Sequence, residues 1–298
     1  VALWDHPLAG TDRGFEMSAS IAVRNFSFEY QGADARALKN VNFEIMKGDF
    51  FCIIGANGAG KSTLCNAFVG LVPHYFSGKI RGDILVEGKS MRQSTVAQLS
   101  ETIGLVFQNP FNQLSYTAGT VAEELAYSLG NRGIAYEEME RRVQDVARMM
   151  RIDDILDRNP AELSGGQVQR VAFGSTFIMQ PEILVLDECT TQLDPMGGEE
   201  IFDIVRRLNE RGVTIVMVDH DMERVAEHAD KVMVLDRGKV AALGTPQEVF
   251  SAADLDVHGV EAPDFLKITR SLYEAGMSGH KPDVTQSGAI DATREALC

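Results

Sequence analysis

The sequence predicts an α/β fold with a mainly parallel core sheet, to which an antiparallel β subdomain and a helical subdomain are joined. Three observations carry that prediction. A continuous apolar run at 50–54 (FFCII) leads straight into a glycine-rich turn at 55–63 (GANGAGKST) and then into a helix-compatible stretch. Further apolar strands recur at 183–186, 213–218 and 232–235, separated by helix-length segments. Strands that alternate with helices imply parallel pairing. Between about 110 and 159, in contrast, the pattern is mostly helical.

The elements follow in order. Over 21–30 the apolar residues alternate loosely (Ile21, Val23, Phe26, Phe28, Tyr30), and a second run holds Val41, Phe43 and Ile45. Period-two patterning with one apolar face predicts two half-buried antiparallel strands. The run at 50–54 has no polar alternate, so it is a strand buried on both faces, as in a parallel sheet covered by helices. Thr120 with Glu123 is a capping box and starts a helix. Over 136–152, Met139, Val143, Val146 and Met150 are spaced 4, 3 and 4 apart, which is a helical stripe. Glu137–Arg141 and Glu138–Arg142 are the expected i,i+4 pairs on its outer face. After residue 250 no strand signal remains, and Phe265, Leu266, Ile268 and Leu272 suggest one or two short helices.

Composition narrows the function classes. The chain has 298 residues, enough for one large domain and an appendage. Its net charge is −15, which argues against a broad nucleic-acid footprint, because such surfaces are basic. Any phosphate must therefore be handled locally, by backbone N–H groups, a lysine and Mg²⁺. The four cysteines (Cys52, Cys65, Cys189, Cys298) are scattered, with no CxxC pair, which suits a reduced cytosolic setting. No apolar run approaches the ~20 residues that span a bilayer. Residues 1–16 lack a basic start and an apolar centre, so they do not read as a signal peptide. Met17 is a candidate natural start.

Two strings carry chemistry. GANGAGKST meets the P-loop pattern of Gly, four residues, Gly, Lys and Ser/Thr. Its glycines let successive N–H groups face phosphate oxygens, and the helix that starts near Lys61 adds its dipole. Gly55, Asn57, Gly58, Gly60, Lys61, Ser62 and Thr63 form the expected cradle, with Lys61 reaching the β- and γ-phosphates and Ser62 ligating Mg²⁺. ILVLDE at 183–188 supplies the other half of a phosphoryl-transfer site. A strand ending in two acids is by itself usually a solvated edge. Downstream of a P-loop, Asp187 reads as an Mg²⁺ ligand and Glu188 as the group that polarises the attacking water. The second string, LSGGQ at 163–167, puts Ser164, Gly165 and Gly166 at a helix start, a further anion-binding end.

With these strings in this order, the chain resembles the nucleotide-binding subunit of ATP-binding cassette (ABC) proteins from about residue 21 to 250. The resemblance implies that Ser164, Gly165, Gly166 and Gln167 cap the γ-phosphate of ATP bound by an opposing subunit. It implies that Tyr30, 25 residues before Gly55, stacks on adenine, with Phe28 as a possible substitute. Gln108, after IGLVF, matches the glutamine that touches Mg²⁺ or water and senses the membrane partner. Asp194 in QLDP matches a loop acid that signals between the two sites. His220, after VTIVMVD, matches the switch histidine that contacts the γ-phosphate. Glu188, His220 and Gln108 are thus the expected catalytic residues, and Ser62, Gln108 and Asp187 the expected metal contacts. The chain departs from the commonest pattern at Cys189, Thr191 and Gln192, where Pro, Ser and Gly are frequent; the catalytic pair is intact.

Local strings narrow the branch. VFQNPFNQLS at 106–115 resembles the QNPxxQ segment of energy-coupling factor (ECF) transporter ATPases and related cobalt and nickel importers, and 72–89 resembles vitamin-type members of that group. The tail at 259–276, with a closing TREAL, resembles the C-terminal helical domain by which those ATPases pair. The expected organisation is an extension at 1–17, an ABC ATPase domain at 18–250 with a helical subdomain at about 110–165, and a helical dimerisation region at 251–298. The expected function is an ATP-hydrolysing subunit that drives an ECF-type importer of a vitamin or metal ion through ATP-driven dimer closure. Its implied partners are a second ABC ATPase subunit, identical or paralogous, a membrane scaffold (T-type) subunit and a substrate-binding (S-type) subunit, with no nucleic acid. The scaffold's coupling helices are expected near 108–114 and the helical insertion, at the cytoplasmic face of the membrane. Alternatives are an ATPase of another ABC importer or a non-transport ABC ATPase of DNA repair or ribosomes. Repair-type members carry a long coiled coil between the two strings, and here only about 100 residues intervene without sustained heptads.

Overall fold

This computed structural model of the chain describes residues 19–190, 193–252 and 255–297. The candidate start at Met17, the extension 1–17, the departures at Thr191 and Gln192, and Cys298 lie outside the described residues.

The two alternating segments form strands β1 (Ala19–Tyr30) and β2 (Leu38–Met46), paired antiparallel. Their inward side chains, Ile21, Val23, Phe26, Phe28, Val41, Phe43 and Ile45, are all buried, as a period of two requires. Strand β3 (Phe50–Ile54) is buried at all five positions. Phe50, Cys52 and Ile54 enter one apolar cluster, and Phe51 and Ile53 the other. The sheet therefore divides two cores. The ring of Phe51 stacks on Phe43 at 5.5 Å, fixing the antiparallel sheet to the parallel one.

The P-loop turns β3 into helix α1 (Lys61–Phe68), followed by a short turn, α2 (Leu71–His74). Strands β4 (Gly78–Val86) and β5 (Lys89–Ser90) complete a four-stranded sheet in the order β2-β1-β4-β5. Then α3 (Val96–Leu99) leads to β6 (Ile103–Val106), which returns the chain to the core sheet. The helical insertion consists of α4 (Val121–Asn131), α5 (Tyr136–Met150) and α6 (Gly165–Phe177). The Thr120–Glu123 capping box starts α4 as predicted. On α5, Glu138 pairs with Arg142 at 2.7 Å as expected. Arg141 does not take Glu137: its guanidinium bridges Glu138 at 2.8 Å and Asp145 at 3.0 Å. Hydrogen bonds from both arginines hold the Glu138 carboxyl down to about 2.

Strand β7 (Ile183–Asp187), α7 (Pro195–Glu210), β8 (Thr214–Val218), α8 (Met222–His228), β9 (Lys231–Asp236) and β10 (Lys239–Gly244) complete the core. The six-stranded sheet runs β10-β9-β3-β8-β7-β6, parallel from β9 through β6, with β10 antiparallel at the edge. Last come α9 (Pro246–Phe250), α10 (Asp264–Glu274) and α11 (Gln286–Leu297). Leu255, Val260, Leu266 and Val284 of this region join the cluster that contains the helical insertion. Of the four tail positions singled out in the sequence, Leu266 is fully buried, whereas Ile268 is 46% exposed.

The insertion is anchored through Gly174 of α6. A Cβ added there would lie 2.9 Å from Val146 Cγ1 on α5 and 3.0 Å from Leu125 Cδ2 on α4. Gly174→Val forces a branched side chain into that crossing, and overpacking of this kind costs about 1–3 kcal/mol. The melting temperature should fall by about 3–10 °C, and an unchanged melting curve would contradict the close approach.

Candidate active site

Ligands of open parallel sheets bind beyond the carboxyl ends of the strands. Here four adjacent strands, β3, β8, β7 and β6, end in the P-loop, His220, Asp187–Glu188 and Gln108 respectively. The strand order alone therefore gathers residues that lie 165 positions apart in the chain, from Gly55 to His220.

The P-loop takes its shape from glycines at φ of +143° (Gly55), +78° (Gly58) and +109° (Gly60). Gly55 passes so close to β9 that an added Cβ would meet the Leu235 carbonyl oxygen at 2.1 Å. At Gly58 an added Cβ meets nothing within 4 Å, so the outer side of the loop is open. Lys61 is 5% exposed. Its ammonium donates to the carbonyls of Gly55 (2.8 Å) and Ala56 (3.3 Å) and faces Glu188 Oε1 at 3.5 Å. These partners hold a buried cation that would otherwise be strongly disfavoured.

Glu188, at φ +48°, turns its carboxylate into the same space. Gln108 Nε2 donates to Oε2 at 2.6 Å, and His220 Nε2 lies 2.8 Å from Oε1. Lysine, glutamine and histidine thus converge on one carboxylate. Asp187 lies below it, 5% exposed, and its Oδ1 has no hydrogen-bond partner. Burial pushes its carboxyl above the ordinary range and the Glu188 charge adds to that, whereas a hydrogen bond from Ser62 and the charge of Lys61 oppose it.

An orphaned buried carboxylate oxygen beside a hydroxyl, under a lysine and a glycine cradle, suits a divalent cation that bridges to phosphate oxygens. The residues present therefore fit Mg²⁺ and a nucleotide triphosphate. Without a cation the charged form of Asp187 is disfavoured in the folded state. That penalty is absent below the ordinary aspartate range, about 3.9, and complete above the raised folded value. Asp187→Asn carries no such penalty, so at neutral pH the ligand-free protein should melt at a higher temperature than the unaltered chain. The gain should shrink as the pH falls toward ~4. A lower melting temperature at neutral pH would contradict the burial argument.

Tyr30, Asn57, Gly58, Gly60, Lys61, Ser62, Thr63, Gln108, Glu188 and His220 line one cleft of about 540 Å³, together with Ala37. Gly55 serves it through its carbonyl. The Tyr30 hydroxyl lies 3.0 Å from Thr63 Oγ1, and its ring meets Phe28 edge-on at 4.7 Å. Phe28 has no exposed surface, so it cannot substitute for Tyr30 against a ligand; its ring fills the core behind Tyr30.

Ser164, Gly165, Gly166, Gln167 and Asp194 stand apart from this cleft. Ser164 and Gln167 form a capping box that starts α6, with Ser164 exposed. Asp194 caps α7, accepting from Gly197 N at 2.6 Å.

Sequence reasoning missed the support under His220. Asp219 is buried and accepts from the backbone N–H groups of His220 (2.7 Å) and Asp221 (3.0 Å). Arg224 donates to its other oxygen at 3.0 Å and lies 5.2 Å from the Phe202 ring. The acid ending an apolar strand (VMVDHD) was the available signal. Also missed was the approach of the tail: an added Cβ on Gly259 would lie 3.0 Å from Ala56 Cβ in the P-loop, and His258 Nδ1 lies 3.2 Å from Asp236. Nothing local in the tail sequence marks that contact.

Comparison with known proteins agrees with this geometry. Residues 38–191 match the ABC transporter family. A putative ABC transporter ATP-binding protein of Pyrococcus abyssi is 43% identical over 260 residues, covering 87% of this chain and 92% of that one. The energy-coupling factor transporter ATP-binding protein EcfA1 of Bacillus licheniformis is 40% identical over 275 residues, covering 91% and 95%. The solved structure of cbiO1 from Clostridium perfringens, described as part of the ABC transporter complex cbiONQ, superposes with a TM-score of 0.68 at 32% identity, covering 87% of this chain and 97% of that one.

Proposed function

The chain belongs to the ABC transporter family of ATP-binding, ATP-hydrolysing subunits, and from that premise we propose that it powers an ECF-type importer of a vitamin or metal ion. The observation that carries the catalytic part is the convergence of Lys61, Gln108 and His220 on Glu188 beside the orphaned oxygen of Asp187. The ECF branch is supported by the likeness to EcfA1 and to cbiO1.

In this reading the P-loop N–H groups and Lys61 bind the triphosphate of ATP. Ser62, Asp187 and Gln108 would hold Mg²⁺, which when bound neutralises charge on the phosphates. Glu188 orients the attacking water and accepts its proton, His220 and Gln108 fix that carboxylate, and His220 contacts the γ-phosphate. Ser164, Gly165, Gly166 and Gln167 present a helix N-terminus to the ATP of a second ABC subunit, and Asp194 links the two sites. Each γ-phosphate is then solvated by both subunits, so hydrolysis removes what holds them closed. The region 251–298 contributes to pairing, with 18–250 as the ATPase domain.

Among the described residues no helix is long and apolar enough to cross a membrane. On its likeness to EcfA1 and cbiO1 we place the chain as a peripheral subunit on a scaffold (T-type) and a substrate-binding (S-type) membrane protein at the cytoplasmic face. The surface we assign to the scaffold is a groove of about 860 Å³ between the turn into α2, α3 and β6 on one side and α4 and the end of α6 on the other. Val96, Phe107, Arg132 and Met179 are among its lining residues. It reaches Phe107 rather than the 108–114 stretch singled out in the sequence.

Purification of the tagged full chain from its native membranes tests this. The expected result is a co-purifying small membrane protein whose presence raises ATP turnover. Recovery with ribosomes or DNA, and turnover that is indifferent to membrane protein, would overturn the transport reading.

A further inference from the structure

One segment is left over when the phosphate chemistry has been assigned: LVPHYFSG at 71–78, which takes no part in the cradle. It carries two adjacent aromatic residues on the surface. Tyr75 is 75% exposed and Phe76 37%. Among the described phenylalanines only Phe76 and Phe111 are exposed.

The segment is held against the cleft. Tyr30 pairs with Gly78 across the β1–β4 ladder, and the Gln31 N–H donates to the Ser77 carbonyl at 3.0 Å. Gly78 has no room for a side chain: an added Cβ would meet Glu29 O at 2.3 Å and the Phe28 ring at 2.6 Å. This close approach brings the Phe76 ring to 6.4 Å from Tyr30, at 79° to it, with Tyr75 beyond at 5.0 Å and 87°. Three rings thus continue outward from the wall of the cleft, successive planes nearly perpendicular.

Lys61, Gln108 and His220 gather around Glu188 in the cleft, and Tyr30 adds an aromatic ring to its lining. A nucleotide combines the matching features, a multiply charged phosphate chain and a flat base. Tyr30 alone offers one aromatic surface, whereas a perpendicular neighbour makes a corner. We propose that Phe76, backed by Tyr75, is the second wall of the base site, so that a purine stacked on Tyr30 meets Phe76 along its edge. This rests on the reading of the cleft as an ATP site and extends it with a positioning and affinity-setting residue that lies outside the P-loop.

The test compares ATP with inorganic tripolyphosphate, which has the charge but no base, each displacing a fluorescent nucleotide from the full chain. Phe76→Ala should weaken ATP about tenfold, the scale of one base–aromatic contact, and leave tripolyphosphate unchanged. Phe76→Trp should keep ATP affinity within about twofold, since an aromatic face is retained. An unchanged ATP affinity in Phe76→Ala would overturn the proposal, as would an equal loss for both ligands, which marks a packing role. If the unaltered chain binds neither ligand, the ATP-site reading itself fails and takes this proposal with it.

Discussion

Replacing Glu188 by Gln is expected to lower ATP turnover by about 10²–10⁴-fold, the range lost with a positioned general base, while ATP affinity stays within a few-fold. The argument rests on geometry. Glu188 Oε2 accepts from Gln108 at 2.6 Å, and Oε1 faces both His220 (2.8 Å) and Lys61 (3.5 Å). Glutamine is nearly isosteric and can still accept from Gln108, but it cannot take a proton from water. The P-loop and Lys61, which bind the phosphates, are left intact. ATP binding therefore persists and the nucleotide-bound closed form accumulates. Single-turnover hydrolysis by the purified complex checks this. Turnover at the unaltered rate would remove Glu188 from its role and shift attention to His220.

Lys61→Ala is expected to raise the dissociation constant for ATP by about 10²–10⁴-fold, because it removes charge-assisted hydrogen bonds worth ~1.5–3 kcal/mol each. It should also destabilise the ligand-free protein. The Glu188 side chain is only 10% exposed, and removing its cation leaves a largely buried carboxylate without its ammonium partner. Breaking a fully buried pair costs about 3–5 kcal/mol; the remaining neighbours reduce the cost here to about 1–3 kcal/mol. The two effects separate experimentally. Adding Glu188→Gln to Lys61→Ala should recover part of the melting temperature and none of the ATP affinity. Isothermal titration and thermal unfolding of the single and double variants read both. Unchanged ATP affinity in Lys61→Ala would refute the phosphate-cradle assignment.

Much of this architecture was legible before any coordinates. FFCII announces a strand buried on both faces because it has no polar alternate, and the structure divides Phe50, Cys52 and Ile54 from Phe51 and Ile53 between two cores. GANGAGKST and ILVLDE are local strings whose chemistry depends on their own backbone, so the cradle and the acid pair could be read directly. The capping box at Thr120 and the helix start at Ser164 are equally local. What sequence could not supply was competition between partners. Arg141 had Glu137, Glu138 and Asp145 within reach, and helix geometry settled on the latter two. Phe28 and Tyr30 share one face of a strand, yet only the end of that strand clears the core. The Asp219–Arg224 pair and the Gly259–Ala56 contact depend on turns and tertiary approach, which no periodicity encodes.

The central claim is that the cleft is half of a composite site, completed by the α6 N-terminus of another subunit. Ser164→Asp tests it with least disturbance, because Asp caps a helix as well as Ser does while placing a negative charge where a γ-phosphate would sit. The decisive measurement is ATP affinity of the isolated chain set against ATP turnover of the assembled complex, both carrying Ser164→Asp. Completion in trans predicts affinity within about twofold of the unaltered chain and turnover lowered by at least ~100-fold, the scale of losing a preorganised anion-binding group. If affinity in the isolated chain falls together with turnover, Ser164 serves its own cleft and the account is wrong.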